Sequence, residues 1–175
     1  MTSIISSIPT IRTTGSQASP LRALDDARER VVGVLARWSI PVLRVSVGLL
    51  FIAFALPKVI PGASPVEGLV TRTVETLSFG LVQGHLALGM VAALELFIGV
   101  TLVIGRLVPL GLLALLAASA GFFAPLVLFP GELFGNGITL EAQYIGKDIV
   151  LVAAALVIGA ASLGARLTAK PKVGA

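Results

Sequence analysis

The chain has 175 residues, of which 56% are hydrophobic and 13% charged, and its mean hydropathy is +1.00. An average soluble domain is about 25% charged, so 13 Lys and Arg with 9 Asp and Glu cannot form a polar skin. Disorder is excluded for most of the chain, because it needs low hydrophobicity and high net charge. Zero cysteine excludes a disulfide scaffold, thiolate zinc and Cys-held iron–sulfur clusters. A single histidine, His85, excludes bis-His haem within one chain. The class that remains is an integral membrane protein.

Residues 1–18 are rich in Ser and Thr without apolar periodicity, and are expected to form a mobile tail. They lack the basic n-region and apolar h-region of a signal peptide. Ser19-Pro20 has the pattern of an N-cap followed by Pro at the first helical position. Leu21, Leu24, Ala27, Val31, Leu35 and Trp38 then recur at helical spacing, with most charges elsewhere. Residues 19–39 are therefore expected to be an amphipathic helix. It lies in the interface plane in the preferred reading and lengthens the first span in the other.

A spanning helix needs about 20 apolar residues, since the hydrocarbon core is about 30 Å thick. Four such spans are expected near 40–60, 85–105, 107–129 and 141–165. The first requires Arg44 and Lys58 to snorkel toward opposite interfaces. The runs are continuously apolar and do not alternate, which predicts helices in place of barrel strands. Only Gly105 and Arg106 separate the second and third spans, which forces an antiparallel hairpin. Pro61-Gly62 breaks the chain before a short surface helix within 65–77. Phe129-Pro130-Gly131 ends the third span, and Gly135-Asn136-Gly137 marks a turn in the loop 130–140. Pro109 and Pro125 are expected to kink the third span. Gly89-xxx-Ala93, Ala117-xxx-Gly121, Ala155-xxx-Gly159 and Ala160-xxx-Gly164 are expected to let backbones approach. The fold class is thus all-α, a four-helix membrane bundle over 40–165 with an N-terminal amphipathic helix and a basic tail at 166–175.

The cations divide unequally between the two sides. Arg12, Arg22, Arg28, Arg30, Arg37, Arg44, Arg106, Arg166, Lys170 and Lys172 fall on one side, and Lys58, Arg72 and Lys147 on the other. The positive-inside rule then predicts cytoplasmic termini, with 61–84 and 130–140 facing outward. Nucleic-acid binding is excluded by the lack of a basic face with interleaved aromatics.

Glu95 is the deepest charge, about 15 Å from either end of its span. Helix rise ranks its partners as Lys147 first, then Arg44, then Lys58. A buried pair that fixes helix register and a ligand or proton site both remain open. Gln143, Tyr144, Lys147 and Asp148 crowd the start of the fourth span. They read either as an outward pocket shared with Lys58 and His85 or as interfacial anchors. No phosphate loop, dinucleotide fingerprint or nucleophile–base pair is present, so no catalytic residue and no metal site is assigned.

Arg44-Val-Ser-Val-Gly48, Pro57-Lys58, Glu95-Leu-Phe-Ile-Gly99 and Gln143-Tyr144-Ile-Gly-Lys147-Asp148, in that order across four spans, resemble the DoxX-like membrane proteins. The resemblance covers about 40–165. It implies a multi-pass protein of the bacterial cytoplasmic (inner) membrane. Some relatives are linked to redox complexes, such as a thiosulfate:quinone oxidoreductase, or act as membrane partners of thiol and superoxide enzymes. Zero cysteine argues against a direct thiol relay, so a redox role here would need a quinone, or a redox-linked partner subunit that carries the cofactor. The expected function is an accessory or anchoring subunit that binds a partner and a quinone or lipid in the outer half of the bundle. The alternative is a small proton-coupled carrier that uses Glu95. Homo-oligomerisation stays open.

Overall fold

The computed structural model describes residues 20–135 and 137–166. The tails expected at 1–18 and 167–175, the Ser19 cap and Asn136 lie outside the described residues. The fold is all-α, with no strand among the described residues: α1 Pro20–Val59, α2 Glu67–Leu77, α3 Gly84–Ile104, α4 Val108–Leu128, α5 Pro130–Phe134 and α6 Leu140–Ser162. Four of these, α1, α3, α4 and α6, are long and apolar enough to cross a membrane. The chain is a multi-pass membrane protein. α3 and α4 are apolar almost all round, as lipid on one side and protein on the other require.

The amphipathic lead-in and the first span form one helix of 40 residues, continuous through Pro41. The boundary expected at 39/40 is therefore not a break in the helix. Pro109 does not kink α4, because it stands in the first turn, where no intrahelical N–H bond is lost. The α3–α4 hairpin is tight because Gly105 takes a left-handed φ of 79° and Leu107 another of 58°. α6 is capped by Thr139, whose side-chain oxygen accepts from the Ala142 N–H at 3.2 Å.

α1 packs chiefly against α3, and α4 against α3 and α6. The closest approach uses small residues other than those expected. A Cβ on Gly48 would stand 2.8 Å from the Gly99 carbonyl oxygen, and one on Gly99 would stand 2.7 Å from the Gly48 oxygen. Likewise a Cβ on Gly111 would collide with the Thr101 hydroxyl. By contrast Gly89 and Gly121 have open space around them, and Gly159 makes only ordinary contact with Leu112. The small-xxx-small spacing misled because it says nothing of which helix face meets a neighbour.

The hydrophobic core lies toward the Gly105 end of the bundle. Val47 and Phe51 of α1 meet Ile98 and Leu102 of α3, Leu112 and Leu115 of α4, and Leu151, Ala155 and Ile158 of α6. A smaller cluster joins Leu133 of α5 to Ala142 and Ile145 of α6, with Leu69 of α2 and Phe123 of α4 against it. Between the two clusters the helices part around a cavity.

Candidate functional site

The cavity has a volume of about 240 Å3 and is walled by α1, α2, α3, α4 and α6. Four charged side chains line it: Lys58, Glu95, Lys147 and Asp148. The rest of the lining is mainly apolar, and includes Phe54, Phe122 and Tyr144.

Glu95 is paired with Lys58, which was ranked last among its partners. Lys58 Nζ donates to Glu95 Oε1 at 2.9 Å and to Oε2 at 2.8 Å, and to the Phe54 carbonyl at 3.0 Å. Both residues are buried, at 8% and 6% exposure. Depth along the helix axis does not fix the partner, because side-chain direction also decides reach. Cα–Cβ bonds tilt toward the helix N-terminus. α1 and α3 run antiparallel, as the contact of Gly48 with Gly99 and of Arg44 with Gly105 shows. Lys58 thus leans inward from its end of α1, while Glu95 leans outward to meet it. By that register Lys58 stands about one helical turn beyond Glu95, a gap that its stem spans.

Lys147 leans the other way, toward the start of α6. Its Nζ donates to the Tyr144 carbonyl at 3.0 Å and to Asp148 Oδ1 at 2.9 Å. It also lies 4.3 Å from the Phe54 ring centroid and 4.9 Å from that of Tyr144. Phe54 and Tyr144 meet edge-on at 6.0 Å. The cavity therefore holds two ion pairs, from three helices, with balanced formal charge.

The other sequence candidates lie elsewhere. The Arg44 guanidinium packs against Gly105 at the opposite end of α3. Gln143 is exposed and does not line the cavity. His85 is also outside it. It lines a separate groove between α1 and α3, with Ala55, Gly89 and Ala92, that reaches Lys58 from the other side.

The sequence reading missed the roof. α2 was expected only as a surface helix, yet Val66, Leu69, Val70, Thr73, Val74 and Leu77 all line the cavity. Their spacing of three and four is the signal that marks this face. α2 is fastened at its start and at its middle. The Glu67 carboxylate accepts from the Gly62 N–H at 2.9 Å. Arg72 donates to Glu132 and stacks 4.8 Å from the Phe129 ring centroid. The hydrogen bond to Glu132 raises the Arg72 pKa above its ordinary value.

No cluster of three or more His, Cys, Asp or Glu that would hold a metal is found among the described residues. Comparison of the chain with protein-family models, curated proteins and solved structures gave no match.

Proposed function

We propose that the chain is an accessory membrane subunit that holds a small amphiphile, a quinone-class ring or a lipid, with its polar head in the roofed cavity. The observation that carries this reading is the cavity itself: apolar and aromatic walls around one buried ion pair, Lys58–Glu95, and one half-buried pair, Lys147–Asp148. Such a mix of apolar lining with a few placed polar groups is the usual make-up of a ligand site. The donor balance narrows the head group. All three Lys58 ammonium protons have acceptors, and Lys147 uses two while its charge faces two rings. The carboxylates of Glu95 and Asp148 keep spare lone pairs. A head group that donates hydrogen bonds, such as the ring hydroxyl of a reduced quinol, suits them better than the carbonyls of an oxidised quinone, which only accept.

The resemblance to DoxX-like proteins gives this reading its setting, the bacterial cytoplasmic membrane beside a redox-linked partner, and the uneven division of cations supports both termini inside. The proton-coupled carrier remains the second reading, favoured by the placement of Glu95 inside a cavity.

Purification in mild detergent, solvent extraction and mass spectrometry test the proposal. The wild type is expected to yield a bound amphiphile. Gly121→Leu, whose new side chain enters open cavity space, is expected to fold normally and lose it. Equal recovery from both proteins, or none from the wild type, would overturn the proposal. Vesicle flux that depends on a pH gradient, without any bound amphiphile, would favour the carrier.

A further inference from the structure

α1 is about twice as long as a bilayer core requires. Its 40 residues span about 60 Å, against about 30 Å of hydrocarbon. The part from Arg22 to Leu35 is exposed at every residue. It nevertheless carries an apolar stripe of Leu24, Val31, Val34, Leu35 and Trp38.

The arrangement of charge around that stripe is specific. At 100° per residue, Arg28 flanks one edge and Arg30 the other with Arg37 just beyond it, whereas Asp25, Asp26 and Glu29 lie farther round, with Arg22 opposite the stripe among them. A self-paired coiled coil would set the arginine-flanked edges of the stripe against each other. An anionic lipid surface receives both features, because arginines at the edges reach phosphates while the carboxylates stay in water.

The stripe also has a defined bearing. Residues of α1 that face α3 or the core, such as Arg44, Val47, Gly48 and Phe51, lie nearly opposite it around the helix. The stripe therefore continues the exposed face of Val42, Leu49 and Leu56. A bend away from the bundle turns this face onto the bilayer. Pro41 supplies the place, since it has no N–H for the Arg37 carbonyl.

We infer that Arg22–Trp38 docks on an anionic lipid surface, the helix bending at Pro41 away from the bundle. The chain has no natural cysteine, so single spin labels report directly. Full-length Leu35→Cys and Asp26→Cys proteins are placed in nanodiscs of phosphatidylcholine with phosphatidylglycerol. The label at 35 is expected to be open to oxygen and shielded from a water-soluble nickel chelate, and the label at 26 the reverse. Replacing Arg28, Arg30 and Arg37 by Gln is expected to lower the docked-to-free ratio about fivefold per arginine. Equal chelate access at both positions would overturn the inference, as would dipolar coupling between labels at 35, which would mean that a second copy covers the stripe. Residues 22–35 and Arg37 are all exposed, so these substitutions leave the bundle fold in place.

Discussion

Lys58 and Lys147 are the same side chain near the same end of the bundle, yet only Lys58 reaches Glu95. The difference is helix polarity, which aims one stem inward and the other outward. The two lysines should therefore respond differently to mutation. Lys58→Met leaves a buried carboxylate without its partner and is expected to cost about 3–5 kcal/mol. Lys147→Met strips a more exposed pair and should cost less. Adding Glu95→Gln to Lys58→Met should recover part of the loss. Unfolding of each variant in detergent measures this order, and an equal cost for the two lysines would contradict it. That Glu95 is a buried, partnered charge was legible in the sequence, because no other carboxylate stands in the middle of an apolar run. Its partner was not, because depth along an axis omits the direction of the side chain.

At the scale of the element, the last three spans were legible to within three residues, since bilayer thickness sets their length, whereas α1 matched only at its far end because its helix runs on from Pro20. α2 was legible as a helix but not as a roof. Its apolar stripe was visible, but which cavity it would cover depends on tertiary placement. The α1–α3 crossing also lay outside local pattern. Gly48 and Gly99 are each other's neighbours at 2.7–2.8 Å from a hypothetical Cβ, whereas Gly89 has none. Gly48→Val is therefore expected to destabilise by at least about 1–3 kcal/mol through overpacking. Gly89→Ala should be neutral or gain up to about 1 kcal/mol of helix propensity. Thermal unfolding of the two variants makes the comparison, and a Gly48→Val protein as stable as wild type would refute the crossing.

For the whole molecule, charge and topology agree. Among the described residues Arg22, Arg28, Arg30, Arg37, Arg44, Arg106 and Arg166 gather at the Gly105 end of the bundle, and Lys58, Arg72 and Lys147 toward the other. If the positive-inside rule holds here, a membrane-impermeant thiol reagent added to intact cells labels Leu81→Cys and spares Arg106→Cys. The reverse pattern would invert the orientation. The same packing has a mechanical side. Gly48 and Gly99 bring α1 and α3 together at one point, and that point acts as a pivot. Lys58 lies about 15 Å along α1 from it, so a tilt of about 10° moves that end by about 2.6 Å. A displacement of this size breaks contacts of 2.8–2.9 Å, which makes the Lys58–Glu95 pair a strut across a lever, under tension whenever the cavity is wedged wider.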